Sequence, residues 1–168
     1  MKSEIESIVR SYARLSRDVG GRLNFACDLD DEKALTAAER EQAHLDQAFF
    51  VLSFATLEHH VTTLASARLA DEARRTAMRG EKFAKRWEVA IKVAGEVLKE
   101  AVPWEQEERV VLSWYTIRSD IAHGRSPSEL VNVPLVLHCA DQVAATLDSV
   151  LKKLDQQEGA QPRGDAPI

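Results

Sequence analysis

The chain has 168 residues, a formal net charge of −5, 45% hydrophobic residues and only 7 glycines and 5 prolines. That length suits one domain with its own core, and the scarcity of alternating β-branched runs beside abundant Ala, Leu, Glu, Lys and Arg points to an all-α fold. The acidic balance excludes a broad sequence-independent grip on nucleic acid, which needs many Lys and Arg contacts. Cys27 and Cys139 stand far apart with no CxxC or His-Cys cluster, which excludes a disulfide framework and a zinc site and fits a reducing cytoplasm. No apolar stretch approaches the roughly 18 residues of a membrane span, and the start Met1-Lys2-Ser3-Glu4 lacks an export signal, so a cytoplasmic chain with no membrane partner is expected.

Ser3 with Glu6 forms a capping-box pattern, and Ile5, Ile8, Val9, Tyr12, Leu15 and Val19 repeat at helical spacing, so a first helix is predicted from residue 3 to about 19. Gly20-Gly21 should stop it, Asp28 to Glu32 should form a loop, and Thr36 with Glu39 should start the next helix. From Ala37 to about Leu69 there is neither Pro nor Gly, and Phe49, Phe50, Val51, Leu52, Phe54, Leu57, Val61 and Leu64 predict a long, deeply packed helix. A short helix then precedes Gly80, and another runs from about Glu81 to Lys99 with Phe83, Trp87, Ile91, Ala94 and Leu98 on one stripe.

Residues 48 to 92 carry eight basic against five acidic side chains, between acidic flanks. Arg74, Arg75, Arg79 and Lys82 are therefore the candidate RNA-facing patch, and the alternative is a solvated helix surface laced by i, i+4 ion pairs such as Glu81 with Lys85. Pro103 opens a helix from about Trp104 to Ala122 whose Val110, Val111, Trp114, Tyr115, Ile117 and Ile121 surround much of its circumference, so it should be central. Gly124 suits the position that ends this helix. Beyond the loop Arg125-Ser126-Pro127-Ser128, a last helix is predicted from about Pro134 to Leu154, making a single domain of residues 1–155. The polar segment 156–168 reads as a disordered tail.

The most informative stretch is Arg118-Ser119-Asp120-Ile121-Ala122-His123-Gly124. It sets a permanent cation and a proton-transfer group at a helix end, a pairing suited to RNA cleavage that requires no metal or cofactor. At about 100° per residue, Arg118, Ala122, Ser119 and His123 share one arc, with Ala122 leaving room for a phosphate. Asp120 precedes His123 by three residues and can fix its tautomer, or it is an ordinary solvated carboxylate. Ser119 can bond a phosphate or its own helix. Trp87, Trp104 and Trp114 read as core anchors, and His44 and His138 as packing or surface positions.

This motif and the helical order over residues 36 to 155 resemble the HEPN superfamily, whose ribonucleases carry Arg-x(4-6)-His at a helix end. The family commonly has Asn, Asp or His directly after the arginine, where this chain has Ser119. The resemblance implies a HEPN-like bundle of about five helices that dimerises across the motif. It also implies a metal-independent endoribonuclease with Arg118 and His123 as catalytic residues, acting in bacterial defence or as a toxin with an antitoxin or defence-system partner. Glu58, in Leu57-Glu58-His59-His60, is similar to an acidic position of the family that faces the motif, and is a candidate for holding Arg118. The alternative is a non-catalytic module of the same fold that binds RNA, a nucleotide or a protein partner.

Overall fold

A computed structural model describes residues 2–125 and 131–159. It contains α1 (Lys2–Asp28), α2 (Glu32–Ser66), α3 (Glu72–Gly80), α4 (Phe83–Leu98), a short 3-10 turn (Glu105–Glu107), α5 (Glu108–Ala122) and α6 (Val133–Gly159). Among the described residues there is no strand, so the all-α class holds. Among the described residues there are six helices, the short helix expected before Gly80 included, against the about five that the resemblance implies.

The expected break at Gly20-Gly21 does not occur: α1 continues through both glycines to Asp28. Two glycines cost a helix about 2 kcal/mol relative to alanine, but the pair is flanked by Val19 and Ala26, each 3% exposed, within a helix packed along α2. Burial on both sides outweighs the local preference. The Tyr12 hydroxyl reinforces this packing by donating to Asp46 Oδ1 at 2.8 Å, and Arg22 meets Glu41 at 2.6 Å. Helix α2 also starts earlier than Thr36 suggests. Asp31 is its cap, its Oδ1 accepting from the backbone N–H groups of Lys33 and Ala34 at 3.1 and 3.0 Å. The acidic loop thereby contracts to a tight turn with Asp30 at φ 53°.

Helix α2 is the axis of the molecule, and α1, α3, α4, α5 and α6 all pack on it. Phe50, Phe54, Leu57, Val61 and Leu64 along its length are fully buried. Trp87 and Trp104 meet edge-on at 4.8 Å in the core, where the Trp104 indole N–H donates to Thr146 Oγ1 at 2.9 Å. Helix α5, expected to be central, lies at the periphery against α2 and α4. Its Val111, Trp114 and Ile117 face inward, leaving Val110 and Tyr115 38% and 39% exposed. Asn132 caps α6, accepting from the Leu135 N–H at 3.0 Å, and α6 runs to Gly159. Residues 156–159, assigned to a tail from composition, therefore belong to this helix, and the rest of that segment, 160–168, lies outside the described residues.

His60 is fully buried, and neither ring nitrogen has a hydrogen-bond partner. Burial holds its pKa below the usual histidine value and His59 adds to this, while Glu4 and Asp148 act in the opposite sense. The folded protein thus keeps the imidazole neutral, whereas the unfolded chain takes up a proton once pH falls below about 6.5. Stability from this residue is complete above that pH and is lost as pH drops toward the depressed folded value. The melting temperature is expected to fall between pH 7.5 and pH 5, and His60→Leu should flatten that decline. Equal slopes in both proteins would locate the titration elsewhere.

Candidate functional site

The end of α5 is built by its last residues. The His123 N–H donates to the carbonyls of Ser119 and Asp120, each at 3.1 Å. Gly124 adopts φ +68°, and its N–H reaches Ile121 O at 3.0 Å while the Arg125 N–H reaches Asp120 O at 2.8 Å. This pair of crossed bonds is the Schellman arrangement, which needs a residue at positive φ just past the helix. It turns the chain sharply and leaves His123 exposed on the rim. A Cβ at position 124 would meet nothing within 4 Å, so Gly124→Ala is expected to cost only the conformational strain, about 1 to 2 kcal/mol. Urea titration reads that loss, and an unchanged midpoint would mean that the turn tolerates alanine without strain.

Arg118 lies one and a half turns earlier and is half-buried. Its Nε is shielded from solvent without a hydrogen-bond partner, and none of the ion pairs among the described residues includes it. Val111 and Trp114, which share its stripe of α5, are buried, so an anchored stem carries a guanidinium without a carboxylate partner. Ala122 is exposed beside it and Ser119 is half-buried. Asp120 is engaged by the Arg125 guanidinium at 2.9 Å, so its carboxylate braces the turn.

The tertiary fold brings further groups to this end. A notch of about 290 Å³ is lined by Ile121, Gly124 and Arg125 from the turn and by Arg40, His44 and Gln47 from α2. In the sequence His44 has no visible partner, and only the i, i+4, i+7 spacing of Arg40, His44 and Gln47 hints that they share a face. Ser126, Pro127 and Ser128 lie outside the described residues.

Glu58 does not hold Arg118. Its Oε1 accepts from Arg86 Nη2 at 2.5 Å, and Arg86 Nη1 donates to Thr62 Oγ1 at 2.7 Å. The reason is the crossing of the helices. Tyr115 lies 6.2 Å from Phe54 in ring-centroid distance, and Ile121 lines the notch with His44 and Gln47. Helix α5 therefore runs antiparallel to α2, and Arg118 is carried toward residues 47–54, away from Glu58.

The basic patch divides among local partners. Arg74 faces Asp71 at 3.8 Å, while Arg75 and Arg79 flank Glu72 at 3.8 and 3.3 Å. Lys82 precedes α4 and is exposed. Lys85 pairs with Glu88 at 2.8 Å rather than with Glu81. Arg75 and Arg79 line a second cleft together with Arg86 and Glu58. The α2 residues of this cleft and of the notch fall on one stripe, with His44 and His59 roughly 22 Å apart along the helix axis.

Among the described residues no group of three or more His, Cys, Asp or Glu is placed to hold a metal ion, and no helix is long and apolar enough to cross a membrane. Comparison with models of known families, with curated proteins and with solved structures finds no significant match to this chain.

Proposed function

We propose that the chain is a metal-independent endoribonuclease of the HEPN type. One observation carries the reading. An exposed imidazole follows a rigid turn at the end of α5, five residues after an arginine that has an anchored stem and, among the described residues, no carboxylate partner; neither lines the adjacent notch, where Ile121, Gly124 and Arg125 of the same helix end meet Arg40 and His44. Surplus positive charge beside a proton-transfer group is what phosphodiester cleavage demands.

In this mechanism His123 takes the proton of a ribose 2′-hydroxyl as its oxygen attacks the adjacent phosphorus. Arg118 forks onto the non-bridging oxygens as negative charge accumulates there. The P–O5′ bond breaks, the departing 5′-oxygen takes a proton from water, and the products are a 2′,3′-cyclic phosphate and a 5′-hydroxyl; DNA is not a substrate because it lacks the nucleophile. A second copy of the chain accompanies this reading, a homodimer presenting two motifs to one strand. A cytoplasmic defence effector, or a toxin restrained by an antitoxin, is the biological setting that accompanies this reading.

The test is incubation of the purified chain with labelled RNA in EDTA, followed by end-group analysis of the products. Cyclic-phosphate termini that vanish in His123→Ala support the proposal, and intact RNA refutes it. The second reading, a non-catalytic module, draws on Ser119 directly after the arginine and on the net charge of −5. A gel shift with no cleavage selects it.

A further inference from the structure

The cleft of about 580 Å³ between α2, α3 and α4 has a charge balance of its own. Arg75 and Arg79 enter it from α3, Arg86 from α4, and Glu58, His59 and Ser66 from α2. Arg86 is 8% exposed and fixed by Glu58 and Thr62, so those opposite charges cancel within the wall. Arg75 is anchored differently, its Nε donating to Leu69 O at 2.7 Å. Glu72 stands 3.8 Å from the nearest nitrogen of Arg75 and 3.3 Å from that of Arg79. Both separations exceed the roughly 2.7–2.9 Å of a charge-assisted hydrogen bond, so both guanidiniums keep donors for a ligand.

Arg75, Arg79 and Arg86 stand against Glu58 in the lining and Glu72 beside it, so one positive charge remains in excess. The two guanidiniums that keep donors can engage the three terminal oxygens of a phosphomonoester, where an internal phosphodiester offers only two. We infer that this cleft binds a terminal phosphate, as a phosphomonoester or pyrophosphate group. The ligand is either a free small molecule or the phosphorylated end of a strand. The inference is independent of the nuclease reading, since the cleft contains neither Arg118 nor His123.

The full chain titrated calorimetrically with pyrophosphate, AMP, adenosine and a deoxyribonucleotide hexamer with or without a 5′-phosphate tests this without any cleavage step. The phosphate-bearing ligands should bind while adenosine and the 5′-hydroxyl hexamer do not. Heat from pyrophosphate and AMP identifies a small-molecule ligand, and heat confined to the phosphorylated hexamer identifies a strand end. Arg75→Ala/Arg79→Ala should weaken binding at least about tenfold, and Arg14→Ala, at an exposed position on α1 outside the cleft, should leave it unchanged. Both sites are on the surface, so circular dichroism should show intact helices. No heat from any probe, equal binding of phosphorylated and hydroxyl ligands, or full affinity in the double variant would overturn the inference. A chain that cleaves RNA yet gives no heat would sink this inference alone.

Discussion

His123→Ala is expected to lower RNA cleavage about 10²- to 10⁴-fold, the usual contribution of a positioned acid–base group. The side chain is exposed at the rim of α5 and its backbone N–H, not its ring, closes the helix. Alanine therefore removes the imidazole and keeps the turn, and the melting temperature should stay close to that of the parent. Arg118→Ala should cost about 10²- to 10³-fold through lost stabilisation of the transition state. Arg118→Lys should recover only part of it, because an ammonium keeps the charge and loses the two-pronged fit to phosphate. The double variant should be hardly worse than the poorer single one, as befits residues acting on one step. Initial rates on a fluorogenic RNA read all four proteins. Full activity in His123→Ala would remove the nuclease reading outright.

Glu58→Ala should be strongly destabilising. Arg86 is 8% exposed and sits over the Phe83 ring at 5.7 Å, with Glu58 as its only carboxylate partner among the described residues. Removing one member of a buried pair leaves a charge without compensation, at a cost of about 3 to 5 kcal/mol. The lower end applies because the Glu58 side chain keeps 22% exposure. Replacing both, as Glu58→Leu/Arg86→Met, should lose far less, since no charge is then stranded. Urea unfolding of the three variants measures this. A double variant as unstable as Glu58→Ala would show that packing rather than charge dominates. If instead Glu58→Gln kept its full stability and lost cleavage, the carboxylate would have to act on the motif and the Arg86 assignment would be the lesser one.

The motif residues were visible in the chain because the features that matter there are local. The spacing from Arg118 to His123 and the glycine after it specify a helix end, and the Schellman turn is the geometry that such a glycine selects. The long Gly- and Pro-free run marked α2 for the same kind of reason. Glu58 was misread because adjacency across helices is not local. The residue opposite it is set by where α5 crosses α2, and that depends on the packing of Phe54, Phe83 and Tyr115. The meeting of Arg40 and His44 with the end of α5 is hidden in the sequence on the same account.

By itself, the sequence determined the all-helical class, most of the elements, and the placing of an arginine and a histidine at one helix end, since propensity, periodicity and capping act within a few residues. Only the tertiary structure decided that α1 runs through Gly20-Gly21, that α2 rather than α5 forms the axis, and which carboxylate each arginine meets. Those outcomes rest on side-chain burial between distant segments, whose free energy exceeds the roughly 1 kcal/mol differences in local preference that a sequence displays.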